Sequence, residues 1–586
     1  MPLKPLFYSF AAAFALAACA TQPVQTNANA GGAGDLAPEQ GTGRTAQQLV
    51  HAKDFMAASA NPLATEAGYE VLKRGGSAID AMIAMQTTLS LVEPQSSGLG
   101  GGAFLVYWDN QAKKLTTFDA RETAPQGATP QLFLDSDGQP LKFMDAVVGG
   151  RSVGTPGIPK LLEDVHKRYG KLAWAGLFDY PVKLAEEGFK VSPRMAASIV
   201  QNEQYLRRYP ATAAYFLPGG KPLAAGTLLK NPEFAQSVRL LAKEGSAPFY
   251  SGRPAQNMVA AVKSAADNSG TLSLADFQKY RVIERAPVCK PYREYEICGM
   301  GAPSSGGLAL GQIFGILQQH DMQASGADNL QSWRWLGEAS RVAFADRDYY
   351  VGDPDFVAVP ARAMLADAYL KQRAAEIAAT DKAQENIKAG EFKQGLSQGK
   401  PIELPSTSHI VIVDKDGNVV SMTTSIENAF GSTLMANGYL LNNELTDFAF
   451  NPADQGRQVA NSAAPGKRPR SSMAPTIVLK NGAPYLAVGS PGGSRIIGYV
   501  AKTLVAHIDW GMNIQQAIDL PNMLNRGSAY EVEEHTAAAD FAPGLGQMGY
   551  KVQIRDLNSG VQGIVIRSDG LEGGADPRRE GKVMGD

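Results

Sequence analysis

At Thr407 the chain changes character abruptly. The stretch before it, Thr380 to Ser406, is polar and rich in Gly and Lys, as a surface connection should be. Immediately after it, Ile410-Val-Ile-Val413, Asp414-Lys-Asp-Gly417 and Val419-Val-Ser-Met-Thr-Thr-Ser425 give strand, turn and strand in succession. Any fold for this sequence must therefore place a hairpin whose first residue carries a hydroxyl at the end of a long exposed linker. Two further strands, Thr476 to Leu479 and Tyr485 to Gly489, flank the turn Asn481-Gly482.

Upstream the pattern is helical. Leu63, Ala67, Val71 and Leu72 recur at helical spacing from Asn61 onward, and Ser77 caps a second apolar helix running towards Val92. The Gly-rich run Ser97-Gly-Leu-Gly-Gly-Gly-Ala103 then leads into a strand-like Phe104 to Trp108. A nucleotide-binding loop needs strand, loop and then helix, so that phosphate meets amides at a helix N-terminus. Here the order is helix, loop, strand, and the glycines read as a tight turn with close backbone packing. From about Gly154 to Ala379 the periodicity is mainly helical, interrupted by the loop Ala302-Pro-Ser-Ser-Gly-Gly307 and by a hairpin from Val288 to Cys298. If Arg293-Glu294 is that hairpin's two-residue turn, Cys289 faces Cys298 in a non-hydrogen-bonded pair, close enough for a disulfide. Arg-Glu lacks the Gly or Asn that tight hairpins prefer, so two free thiols remain the alternative.

Lys4 and the apolar run Leu6 to Ala18 form a segment too short for a membrane-spanning helix of about 20 residues, and it reads as a secretory signal. Its ending, Leu16-Ala-Ala-Cys19, looks like a bacterial lipoprotein signal in which Cys19 becomes the lipidated N-terminus; a plain signal peptide with an incidental Cys is the alternative. Thr21 to Arg44 has hardly a large apolar residue and reads as a flexible tether. The expectation is a signal peptide over 1–18, a tether over 19–48, and an exported, periplasmic protein anchored to a bacterial membrane. Export in turn favours the disulfide. The 55 Lys plus Arg nearly balance 57 Asp plus Glu, so no overall field draws the chain to nucleic acid.

A hydroxyl at the start of a core strand, after an exposed linker, is what a self-processing hydrolase needs. Cutting the bond between Ser406 and Thr407 would free an α-amine beside the Thr407 hydroxyl. With a pKa near 8, that amine is partly neutral at physiological pH and takes the hydroxyl proton directly or through a water. Nucleophilic catalysis by Thr with its own amine as base requires no His or Asp. The six histidines, His51, His166, His320, His409, His507 and His535, show no metal spacing, so neither a metal nor another cofactor is implied, and His409 reads as a packing or hydrogen-bonding residue.

Asn61-Pro-Leu-Ala-Thr-Glu-Ala67, Val92-Glu-Pro-Gln-Ser-Ser-Gly98, Thr407-Ser-His409, Leu440-Leu-Asn-Asn-Glu444, Lys467-Arg-Pro-Arg-Ser-Ser-Met473 and Gly489-Ser-Pro-Gly-Gly-Ser494 form an ordered set. In these motifs, from about residue 50 to the C-terminus, the chain resembles γ-glutamyltranspeptidases. The resemblance implies the four-layer αββα sandwich of N-terminal-nucleophile hydrolases, an α+β fold that a large chain, 49–406, and a small catalytic chain, 407–586, share as a heterodimer after autocleavage. It implies γ-glutamyl substrates such as glutathione, with water or an amino acid or peptide as acceptor. Residue by residue, it implies Thr407 as nucleophile and Ser425 as its support. Gly492 and Gly493 become the oxyanion hole. Arg121 becomes the clamp for the substrate carboxylate, sharing that task with Ser471 and Ser472. Glu427, Glu444 and Asp447 are left to hold the ammonium.

Three departures matter. Many relatives have Thr where this chain has Ser408 and Ser425, and Asn and Gln where it has Glu427 and Glu444, so the amine end of the pocket is more anionic. Between Asp447 and Ser471 stand Phe448 and Phe450 but no Tyr, which removes the residue some relatives use in a closing lid. The rival activity on the same fold is a glutaryl-cephalosporin acylase. Glutaryl lacks the α-amine, so the three carboxylates argue against it. A rival of another class, a non-catalytic peptide-binding surface lipoprotein, gives no reason for these residues to occur together.

Overall fold

The computed structural model describes residues 44–392, 397–399, 406–454 and 456–586. The signal segment, Cys19 and the tether up to residue 43 lie outside the described residues, as does part of the connection before Thr407. Arg44 and Thr45, at the end of the stretch read as a tether, lie against the fold: Arg44 Nη1 donates to Glu533 Oε1 at 2.8 Å and the Thr45 amide to the Pro577 carbonyl at 2.8 Å.

Two seven-stranded antiparallel sheets form the centre. The first runs Lys582–Gly585, Met56–Ser59, Ser408–Val413, Val419–Ser425, Gly102–Asp109, Lys114–Ala120 and Ile283–Arg285. The second runs Val50–Ala52, Gly570–Ala575, Gln562–Arg567, Ala483–Gly489, Thr476–Lys480, Tyr295–Gly299 and Val288–Tyr292. Each sheet takes strands from both sides of residue 407, so a cut there leaves both sheets intact.

The strand side chains explain the layering. Val411, Val413, Val106 and Trp108 of the first sheet meet Ile477, Leu479, Ala487 and Ile564 of the second in a core between the sheets. Alternate residues of the same strands, Ile410, Ile412, Leu105 and Tyr107, face a helical layer that includes Ala81, Met82 and Met85. On the far side Ile297, Val478, Leu486 and Val488 pack under Leu310, Ile313, Val500 and Leu504. The result is the αββα sandwich. It is also why Ile410-Val-Ile-Val413 shows no polar alternation: both faces of its sheet are covered.

The local elements follow from the residues that start and end them. Asn61 caps the helix Pro62–Lys73 by accepting from the Leu63 amide, and Ser77 forms a capping box with Asp80 at the start of Ala78–Val92, a helix buried along its whole length. The glycines that follow are packing residues: a Cβ on Gly100 would lie 2.1 Å from the Leu440 carbonyl oxygen, and one on Gly101 2.0 Å from that of Ser425. The turn between Thr476–Lys480 and Ala483–Gly489 is formed by Asn481 and Gly482, both at positive φ. In the other hairpin Arg293 takes φ 53° without being Gly or Asn, and three groups hold it there. Its amide donates to Gln318 Oε1, its Nε to Asp509 Oδ1, and its Nη2 to the His320 carbonyl. Cys289 pairs opposite Cys298 and the two are joined in a disulfide. Among the described residues no helix is long and apolar enough to cross a membrane.

His409 points into this core at a contact that admits no larger neighbour. A Cβ on Gly489 would fall 2.2 Å from His409 Cε1. Gly489→Ala is therefore expected to cost about 1–3 kcal/mol through overpacking, read as a lowered midpoint of thermal unfolding; an unchanged midpoint would contradict this packing.

Candidate active site

Thr407 stands at the head of the strand Ser408–Val413, 4% exposed. Its φ is 132°, a region that a β-branched residue rarely adopts, and such backbone costs on the order of 1–3 kcal/mol. Its hydroxyl lies 3.3 Å from Ser425 Oγ. Ser425 ends the neighbouring strand, Val419–Ser425, and its Oγ also accepts from the Glu427 amide at 2.8 Å.

A small cavity opens beside this pair. Thr407, Ser425, Glu427, Glu444, Asp447, Ser471, Ser472 and Gly493 all line it, together with Met473 and Ile496. Residues as far apart in sequence as Thr407 and Ile496 thus meet at one place because the strands and turns that carry them end at the same edge of the sandwich. Glu427 sits at φ 77°, and its Oε2 accepts from Asn443 Nδ2 at 2.6 Å. Asn442 and Asn443 are what give the Asn-Asn-Glu run its shape. Asn442 Oδ1 accepts from the Gly154 and Glu444 amides, and Asn443 Oδ1 from the Asn428 amide.

Arg121 lies behind the carboxylates, fully buried. Its Nη1 donates to Glu444 and its Nη2 to Asp447, while Nε and Nη2 reach the Pro469 and Arg470 carbonyls at 3.2 and 2.9 Å. Burial opposes the charge of Arg121, but Glu444 and Asp447 outweigh it and hold the guanidinium above its ordinary range. Burial, and next the charge of Glu444, push the Glu122 carboxyl well above the usual carboxylate range, which favours its protonated form. Arg121 is thus engaged by the two carboxylates that the sequence assigns to the opposite end of a substrate.

Ser471 and Ser472 lie in an extended segment whose backbone is pinned by the loop at residues 302–307. The Ser305 amide and hydroxyl both donate to the Ser471 carbonyl. Ser472 Oγ accepts from Arg347 Nη2 at 2.6 Å. Nothing in the sequence points to Arg347, a buried residue in the helix Leu330–Tyr350 whose pattern does not single it out. Met473 and Ile496 were likewise legible only as apolar residues.

Gly492 and Gly493 have φ of 134° and 57° and lead into the helix Ile496–Ile508. A Cβ on Gly492 would fall 2.7 Å from the Tyr499 ring. Amides in a positive-φ turn at a helix N-terminus suit an anion. The turn is braced from below, where Arg495 and Arg526 both donate to Glu531, and Arg526 to Ser494 Oγ.

Phe448 and Phe450 turn away from the cavity. They pack with Phe133, Ala146 and Ala463, the Phe133 and Phe450 rings stacking with centroids 4.6 Å apart. His409 is also outside the cavity: its Nδ1 meets Thr423 Oγ1 at 2.9 Å, and burial lowers its pKa to about 3.

Comparison with known proteins agrees with this geometry. The family model described as gamma-glutamyltranspeptidase matches residues 64–586. The glutathione hydrolase proenzyme of Bacillus subtilis (strain 168) is 37% identical over 554 residues, covering 92% of each chain. The acylase ACY 1 proenzyme of Pseudomonas sp. (strain SE83) is 35% identical over 529 residues, covering 89% of this chain and 91% of the acylase. Among solved structures, the cephalosporin acylase of Bacillus halodurans superposes with a TM-score of 0.82 at 27% identity, covering 92% of this chain and 97% of that one.

Because His409 is buried neutral, its ring should show no protonation between pH 8 and pH 5. The measurement is the ring-carbon shift of selectively labelled histidine, assigned by its loss in a His409→Gln variant. Titration near pH 6.5 would contradict the buried placement.

Proposed function

The chain belongs to the γ-glutamyltranspeptidase family, and from that premise we propose that it cuts itself between Ser406 and Thr407 and then transfers γ-glutamyl groups. The donors are glutathione and related amides; the acceptors are water or an amino acid or peptide. The observation that carries this reading is the buried, backbone-strained Thr407 beside Ser425, in a cavity lined by three carboxylates and by Gly493.

In the first reaction Thr407 Oγ1 attacks the Ser406 carbonyl carbon, the bond to the Thr407 nitrogen breaks, and the hydroxyl proton passes to that nitrogen. Water then hydrolyses the ester, leaving a Ser406 carboxylate and a Thr407 that carries both amine and hydroxyl. In the second, the neutral amine takes the hydroxyl proton as Oγ1 attacks the substrate's γ-carbonyl. The amides at Gly492 and Gly493 face the oxyanion, and the departing amine leaves with the proton. The acceptor reverses these steps on the acyl-enzyme.

Glu427, Glu444 and Asp447 hold the substrate ammonium, while Met473 and Ile496 flank its methylenes. Ser471 and Ser472 hydroxyls receive the α-carboxylate. Arg121, which already carries two carboxylates, contributes to that end only by sharing its donors, so it sets the charge and spacing of the pocket as much as it clamps. With Phe448 and Phe450 packed away, no aromatic lid covers the acyl group among the described residues, which favours water and bulky acceptors.

The second reading, a glutaryl acylase, has relatives on its side. The carboxylate trio speaks against it, since a des-amino acyl group brings no ammonium to a cavity wall lined by Glu427, Glu444 and Asp447. We also propose that the protein works outside the cytoplasm and is held to a membrane through Cys19. The Leu16-Ala-Ala-Cys19 signal and the Cys289–Cys298 disulfide support this.

Three outcomes are expected. Wild-type protein should separate on a denaturing gel into two chains, the smaller spanning 407–586, whereas Thr407→Ala should remain a single inactive chain; persistent cutting at that bond in the variant would refute the mechanism. Release of an aromatic amine should be at least about tenfold faster from a γ-glutamyl anilide than from a glutaryl one, equal rates removing the ammonium pocket. For the anchor, labelled fatty acid should enter the wild-type chain and not Cys19→Ala.

A further inference from the structure

Ser406 and Ser408, one on each side of Thr407, are both tied to a single short loop, Glu93 to Ser97, at the end of the helix Ala78–Val92. The Ser406 hydroxyl donates to the Gln95 carbonyl at 2.8 Å. The Ser408 hydroxyl donates to Glu93 Oε2 at 2.7 Å, and the Ser97 hydroxyl to Ser408 Oγ at 3.2 Å.

The loop is itself rigidly held. Arg194, 1% exposed, donates from Nη1 to Glu93 Oε1 at 2.7 Å and from Nη2 to Ser96 Oγ at 3.0 Å. The Ile426 and Phe430 amides donate to the Ser96 and Gln95 carbonyls, each at 3.2 Å, so the loop is also fastened to the segment after Ser425. From the opposite side Arg579 Nη1 approaches the Thr407 carbonyl at 3.4 Å.

A residue stays in sparsely populated backbone only where its surroundings over-determine it. Ser408 is fixed twice, by its ladder position opposite Thr424 and by Glu93. Ser406 is fixed by Gln95. Thr407, between these two fixed neighbours, absorbs the mismatch as its φ of 132°.

We propose that the loop 93–97 is a two-point clamp, with Glu93 as its anchoring carboxylate, that strains the Ser406–Thr407 peptide and holds its carbonyl for attack by the Thr407 hydroxyl. The proposal rests on the reading of this bond as the processing site. Glu93 is a positioning residue that acts through Ser408 and exchanges no proton. Attack forms the bond from Oγ1 to the Ser406 carbon, breaks the bond to nitrogen and moves the hydroxyl proton to that nitrogen. The φ constraint disappears with the broken bond, so the clamp speeds this step and has no such lever on later turnover.

The test follows pulse-labelled chains on denaturing gels and measures kcat/KM on a γ-glutamyl anilide per processed molecule. Glu93→Gln and Ser408→Ala should each slow conversion to two chains about tenfold or more, the rate equivalent of losing part of the strain. Ser408→Thr keeps the hydroxyl and should convert at close to the wild-type rate. Processed Glu93→Gln should retain kcat/KM within about threefold of wild type. Glu93→Gln placed in the Thr407→Ala chain should unfold at nearly the same temperature as Thr407→Ala alone. Wild-type conversion rates in both slowed variants would overturn the clamp, as would an equal loss in processing and turnover, or a collapse in thermal stability that accounts for the slowing. Absence of cutting in the wild type would instead overturn the processing site itself.

Discussion

Everything at the site depends on the strand Ser408–Val413 being held in the middle of a sheet. It pairs with Met56–Ser59 on one edge and Val419–Ser425 on the other, and both its faces are covered, by the second sheet and by the helix Ala78–Val92. A strand so placed has no freedom to slide, because a shift of one residue would exchange its two apolar faces and break two ladders. Thr407 inherits that rigidity at its C-terminal side. Its hydroxyl stays at Ser425 because the register sets Ser408 opposite Thr424, and the next residue along is Ser425.

Charge is the second constraint. One buried guanidinium, Arg121, faces Glu444 and Asp447 directly, with Glu122 close by, and Glu427 adds a further carboxylate at the cavity wall. Burying such a set is costly unless each member is hydrogen-bonded, and removing one partner of a buried pair typically costs about 3–5 kcal/mol. The cavity wall presents three carboxylates, Glu427, Glu444 and Asp447, two of which pair with Arg121. On the proposed reading an incoming ammonium is attracted to these carboxylates, whereas a neutral or purely anionic acyl group is not. Selectivity of this kind comes from the sign of the charge lining the cavity.

Much of this was legible in the sequence, for identifiable reasons. The hairpin from Thr407 and the turn at Asn481-Gly482 show themselves through local chemistry, and so do the caps at Asn61 and Ser77. The cysteine register follows from counting outward from Arg293-Glu294, although that turn is enforced by Gln318, Asp509 and the His320 carbonyl, which no local rule reveals. Periodicity gave mixed α and β without the four layers, since layering is decided by contacts between distant segments. The motifs located Arg121, Glu444 and Asp447, but treated cation and anions as tools for opposite ends of a ligand. That they satisfy one another is a property of their shared burial. Arg347 and Arg194 were silent because a buried arginine on a helix looks like any solvated one until its partners are known.

The sharing of both sheets across residue 407 also explains how one peptide bond can be given up at so crowded a place. Met56–Ser59 and Gly102–Asp109 precede the bond, and Ser408–Val413 and Val419–Ser425 follow it, yet all four lie in a single sheet with the two later strands between the two earlier ones. Cutting removes one covalent link and none of the ladder hydrogen bonds, so the apolar core between the sheets keeps the two chains joined. The new α-amine can then appear beside its own hydroxyl without displacement, because Ser408 remains paired to Thr424 in the ladder. A linker that ended at a sheet edge, or a nucleophile in mid-loop, would lose its position on cleavage. Only a residue at the head of an interior strand gains a free N-terminus and keeps its place.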